Sequence, residues 1–133
     1  MARQLTLALP ANGRAAGLAR QVTRDALSAW HLAHLEETAV LLVSELVTNV
    51  LRHASTRRLG MALFLAPEGA SLLIEVHDGD AREPRPRIPG GFDESGFGFV
   101  LIEALAGKWG VRQTATGKAV WVELDARQPA NHP

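Results

Sequence analysis

Apolar residues change period several times along the chain, and each period predicts an element. Gln4–Leu9 alternate apolar and polar positions up to Pro10, the pattern of a short edge strand. From Arg14 to Trp30 the residues Leu18, Val22, Ala26 and Trp30 recur four apart, the stripe of an amphipathic helix. A second helix is predicted over about Glu36–Ala54. Its acidic start, Glu36-Glu37, and its basic end, Arg52-His53, both suit the helix dipole. Met61–Leu65 and Ser71–His77 read as strands joined by the turn Pro67-Glu68-Gly69-Ala70, and Leu72, Ile74 and Val76 would share one face. Periodicity then stops. Asp78–Ser95 carries Pro84, Pro86 and Pro89, the pair Gly90-Gly91, and Arg82, Arg85 and Arg87, which predicts a long mobile loop. Ser95 can cap a third helix from about Phe97 to Ala106, with Gly107 as its stop. Trp109–Gln113 and Lys118–Leu124 close the pattern as strands, with Thr116-Gly117 in their turn.

Strands therefore come in adjacent pairs rather than alternating singly with helices. That order predicts an α+β two-layer sandwich: a mixed, largely antiparallel sheet with helices on one face. A single domain is expected over residues 1–125, followed by a flexible tail at 126–133.

Composition narrows the function classes. The 133 residues are 47% hydrophobic, enough to build one core. Fourteen Lys and Arg balance fourteen Asp and Glu, so the cationic excess of a polyanion-binding protein is missing and no direct nucleic-acid partner is expected. No cysteine occurs, which removes disulfides, thiol nucleophiles and Cys-based metal sites. The longest apolar run, Met61–Ala66, is six residues, far below the roughly 20 that span a bilayer. With no signal-like segment before Pro10, the expected location is the cytoplasm.

Three short groups could carry chemistry. Glu45 and Asn49 lie four apart on the second helix and so project from one face. A carboxylate beside a carboxamide oxygen is a hard-oxygen pair suited to a hydrated magnesium ion, although a solvated polar stripe explains an isolated pair equally well. Asp78 follows a buried strand; its carboxylate could accept from an exocyclic amine such as that of adenine, or it could be an ordinary Asp-Gly turn residue. Gly96 and Gly98 precede the third helix, where bare backbone and helix N–H groups can meet a phosphate, or where a junction simply needed freedom. His31 and His34 have no further metal ligands near them in the sequence and read as structural.

Taken in order, these groups resemble the GHKL ATPases, the superfamily of gyrase and sensor histidine kinases with the Bergerat ATP-binding fold. Val43-Ser44-Glu45-Leu46-Val47-Thr48-Asn49-Val50-Leu51-Arg52-His53-Ala54 is similar to the family's N box. Glu75-Val76-His77-Asp78 resembles its adenine-binding box, Glu94–Phe99 with Ala106–Val111 its second glycine region, and Gly117–Leu124 its closing strand. The nearest likeness is to short actinobacterial ATP-binding regulators related to anti-sigma-factor serine kinases.

The resemblance implies ATP or ADP with Mg2+ as cofactors, Asn49 as the metal-holding residue (with Glu45 reaching the ion through water), and Glu45 as the catalytic group. It further implies that Asp78 reads adenine, that Gly96 and Gly98 admit the phosphates, and that Arg52 and His53 contact them. The implied function is an anti-sigma-factor-type protein serine/threonine kinase that phosphorylates a STAS-type partner and binds a sigma factor. A homodimer is compatible with this, and no membrane is involved. A non-catalytic nucleotide-sensing regulator is the alternative, suggested by departures from the family's pattern. Asp80 and Arg82 replace glycines, and Phe97 and Phe99 replace a basic residue and a leucine. Ala119 stands where a threonine sharing a water with the aspartate and adenine is common.

Overall fold

Five strands join through four antiparallel pairings into one open sheet in a computed structural model that describes residues 3–53, 58–78, 102–115 and 117–127. The strands are β1 (Arg3–Pro10), β2 (Arg58–Leu65), β3 (Ser71–Asp78), β4 (Lys108–Gln113) and β5 (Lys118–Asp125), in the spatial order β1-β2-β3-β5-β4. Every pairing among the described residues is antiparallel, so no parallel component of the expected mixed sheet is seen there. The last strand inserts beside β3 and leaves β4 on the edge. The register sets Leu7 opposite Met61, Met61 opposite Val76, and Ile74 opposite Val122.

Strand alternation sorts the two faces. Leu59, Met61, Leu63, Leu65, Leu72, Ile74, Val76, Val120, Val122 and Leu124 are buried in the core. Their intervening neighbours Phe64, Leu73, Glu75, His77, Trp121 and Glu123 form a half-buried opposite face. There Arg112 donates to Glu75, and the Trp121 ring lies so close over Gly110 that an added Cβ would come within 2.8 Å of it.

The core face is covered by α1 (Ala15–Ala29) and α2 (Glu36–His53), joined through a one-turn 3-10 helix at Ala33–Leu35. The buried face of α2 comprises Ala39, Leu42, Val43, Leu46, Val47 and Val50. Each fully buried leucine there contributes roughly 1.5–3 kcal/mol relative to exposure. In α1 the expected stripe is displaced. Ala15, Ala19, Thr23, Ala26 and Leu27 are buried, whereas Leu18 is 46% exposed. Four of these five buried residues are small, which lets α1 pack closely on the rest of the fold, with Leu27 the one large buried side chain. Thr23 tolerates burial because its hydroxyl donates to the Ala19 carbonyl at 2.7 Å.

The end of α1 is a Schellman motif built without glycine. His31 takes φ 61°, its N–H donates to Ser28 O at 3.3 Å, and Leu32 N–H reaches back to Leu27 O at 2.8 Å. Further along, Gly69, at φ 74°, supplies the left-handed position in the turn between β2 and β3.

The loop and helix start expected between Gly79 and Leu101 lie outside the described residues. Residues 102–105 are helical, Ile102 is buried, and the Gly107 N–H bonds Glu123 O at 2.9 Å at the expected stop. Ala126 follows β5 and is buried. Its N–H donates to Ala70 O, and its carbonyl lies 2.9 Å from His34 Nε2. This contact gives His34 a structural role. Residues 128–133 of the expected tail are outside the described residues. Among the described residues no helix is long and apolar enough to cross a membrane.

Candidate functional site

Connectivity alone brings two of the expected polar residues to one end of the sheet. Helix α2 stops at His53 and β2 begins at Arg58, a span of at most about 18 Å. Leu59, the second residue of β2, is paired with Asp78, the last of β3. The C-terminal end of α2 is thereby tied to the same sheet end as Asp78. Asn49 lies one helical turn back, about 6 Å along the axis. The beginning of β5 joins them: a Cβ on Gly117 would stand 2.5 Å from the Asp78 carbonyl oxygen and 3.4 Å from its carboxyl carbon. Only a glycine lets the β4–β5 turn rest so closely on Asp78.

Both polar residues are buried. Asn49 is 2% exposed and Asp78 is 9% exposed. Asn49 Nδ2 has no hydrogen-bond partner among the described residues, although it lies on a helix packed in the core. An amide left orphaned and buried costs roughly 1–3 kcal/mol, so Asn49 Nδ2 is a donor that a bound water or ligand acceptor would satisfy. Glu45, one turn earlier on the same face, is half-buried. Its neighbour Ser44 accepts a hydrogen bond from Arg20 Nη1 at 3.1 Å, which fixes α1 against this part of α2.

Arg52 is exposed at the end of α2. The His53 side chain, Gly96 and Gly98 lie outside the described residues. Among those described, no three His, Cys, Asp or Glu residues gather as a metal cage. The oxygen donors of Glu45 and Asn49 nevertheless fit Mg2+, which ordinarily takes one or two protein ligands and fills its remaining positions with phosphate oxygens and water.

Ala119 is paired with His77 and is fully buried. Gly117 is a neighbour of Asp78 that local pattern reading missed. Thr-Gly signalled a turn, but nothing local signalled that the turn would rest on β3. A separate groove of about 360 Å³ between β1 and α1, lined by Gln4, Leu5, Val22, Asp25, Ala26 and Trp30, shares none of these residues.

An open antiparallel sheet with helices on one face and a buried carboxamide and carboxylate at one end defines an α+β domain of the GHKL type. The chain belongs to the histidine kinase-like ATPase domain family, whose profile matches residues 9–124. Among solved structures it is similar to the RsbU and RsbW domains of Rv1364c from Mycobacterium tuberculosis. The likeness has a TM-score of 0.73 and 22% identity over 96% of this chain. The match covers 34% of that structure's chain, and it speaks to the fold. A comparison with curated proteins gives no match.

Proposed function

We propose that this protein binds ATP with Mg2+ and transfers the γ-phosphoryl group to a serine or threonine of a STAS-type partner, as an anti-sigma-factor-type kinase. One observation carries the reading: the buried Asn49 Nδ2, a donor without a partner among the described residues, which an acceptor oxygen of the nucleotide would satisfy. Membership of an ATPase domain family supports it. The RsbW portion of the structural neighbour motivates the choice of a regulatory partner.

Asn49 and Glu45 would hold the metal, whose contribution is to neutralise phosphate charge. Asp78 accepts from the adenine amine, and burial in low dielectric strengthens that bond. Glu45 accepts the proton of the attacking hydroxyl. The new bond joins the partner's oxygen to the γ-phosphorus while the β–γ bridge bond breaks and ADP leaves. Such transfer depends on positioning more than on covalent chemistry, which suits residues held by a core helix and a central strand. Gly96, Gly98, Arg52 and His53 are assigned to the phosphates by sequence resemblance.

Incubation with γ-labelled ATP and a candidate STAS-domain protein tests the reading. Label on a partner serine or threonine, lost in Glu45→Gln, is the expected result. ATP binding without transfer would replace the kinase by a nucleotide-sensing regulator, and absence of ATP binding would remove both.

A further inference from the structure

We infer that β1 is a dimer edge: two copies of the chain pair their β1 strands antiparallel about a twofold axis, joining their sheets into one of ten strands. This does not rest on the ATP reading. Among the described residues β1 ends the sheet and pairs with β2 alone, so the outward N–H and C=O groups of Arg3–Pro10 meet no other strand. Its eight residues make an edge about 26 Å long. Edge strands ordinarily block further pairing with a charge, a proline, a bulge or short length. Gln4–Leu9 holds neither charge nor proline, and its register with β2 runs unbroken from Arg3 to Pro10. The helix layer above this edge is apolar as well. Leu5 joins Val22, Ala26 and Trp30 in lining the groove of about 360 Å³ between β1 and α1. Leu18, one helical turn before Val22, is 46% exposed.

Charge and symmetry make a second copy the occupant. A twofold axis brings each group on β1 near its own copy, so a charge there would repel itself, and Gln4–Leu9 carries none. Leu5, Leu7 and Leu9 alternate with Thr6 and Ala8. An antiparallel copy paired about this centre sets leucine opposite leucine on the helix side and Thr6 and Ala8 together on the other. The leucine row of one sheet thereby continues into the next. An edge about 26 Å long and two layers deep, each layer about 10 Å thick, gives roughly 500 Å² per copy. The total of about 1,000 Å² is the lower limit for a specific interface, so the expected dimer is weak, with a micromolar dissociation constant.

Sedimentation of the full chain without nucleotide, from about 1 to about 200 μM, tests this. The weight-average mass of wild type should rise from that of one copy toward that of two. Thr6 is exposed, so Thr6→Lys should fold as wild type yet dimerise about tenfold or more weakly, while the neutral Thr6→Val retains the dimer. Because the chain has no cysteine, a single introduced one carries a spin label at a unique place. In the dimer, labels on Thr6→Cys should lie within about 20 Å of each other. Labels on Val111→Cys, at the opposite edge strand β4, should be about 40 Å apart, nine strand spacings. A wild type that stays monomeric throughout would overturn the inference and leave the edge to a different chain. A dimer that Thr6→Lys does not weaken, or one in which the Val111 labels are the close pair, uses another surface and overturns it equally.

Discussion

Replacing Asn49 by leucine should make the protein more stable alone and less stable with its ligand. Asn49 is 2% exposed, its Nδ2 lacks a partner among the described residues, and its helix neighbours Leu46, Val47 and Val50 are core residues. An unpaired buried amide costs roughly 1–3 kcal/mol, and leucine removes that cost. Against this stands the strain of fitting a side chain of similar size but different shape, usually below about 1.5 kcal/mol. The net expectation is a gain of about 1 kcal/mol, which for a domain of this length raises Tm by about 3–5 °C. Wild type, given MgATP at 100 times its dissociation constant, should gain roughly 2.7 kcal/mol, and the variant should gain almost none. The order of stability therefore inverts on adding nucleotide. Urea and thermal melts with and without MgATP measure all four values. A variant clearly less stable than wild type without nucleotide would refute the orphaned-amide argument. A variant that keeps the full MgATP gain would refute the role of Asn49 in the site.

Four further outcomes are expected. Gly117→Ala places a Cβ 2.5 Å from the Asp78 carbonyl oxygen, so it should cost about 1–3 kcal/mol in urea unfolding and weaken ATP in calorimetry; unchanged values would mean that the turn does not rest on β3. His31→Gly relieves a left-handed non-glycine residue at the end of α1 and should raise stability by about 1 kcal/mol, visible as a higher urea midpoint at constant slope. Asp78→Asn should weaken ATP about tenfold relative to GTP, because the carboxylate accepts from the adenine amine and a charged acceptor bonds more strongly; equal losses would make Asp78 purely structural. Arg127 bonds the Asp125 carboxylate through its side chain and its N–H, lowering that carboxyl from 3.8 to about 2. Since the folded value lies below the unfolded one, the associated stabilisation is present above pH 3.8 and fades as pH falls through about 2. NMR titration of Asp125 should show the low midpoint, and Arg127→Ala should move it upward.

Much of the architecture was legible in the chain because it depends on local period. The strict alternation of Leu72, Ile74 and Val76 predicts one buried face, and the structure buries all three. The acid-to-base gradient of Glu36–His53 places α2 within a residue of its observed ends. Alpha-helix α1 was legible as a helix but not in its orientation. Hydrophobicity singled out Ala26, which is buried, but also Leu18, which is exposed, and it passed over Ala15 and Ala19, which are fully buried. The Schellman end at His31 carried no signal, since glycine is the residue that normally marks it.

The sequence by itself determined which residues could do chemistry: a carboxylate and a carboxamide four apart on a helix, and an aspartate ending a buried strand. Helical spacing and strand ends are properties of neighbours along the chain, so no tertiary information was needed for them. Tertiary structure decided that Asn49 is buried with an amide left over and that Gly117 rests on Asp78. Those facts depend on β5 inserting between β3 and β4, a pairing across roughly 40 residues of chain whose register no local pattern specifies. A shift of one residue in that register would move Gly117 off Asp78 and turn Val120, Val122 and Leu124 away from the core, because alternate side chains of a strand point to opposite faces of the sheet.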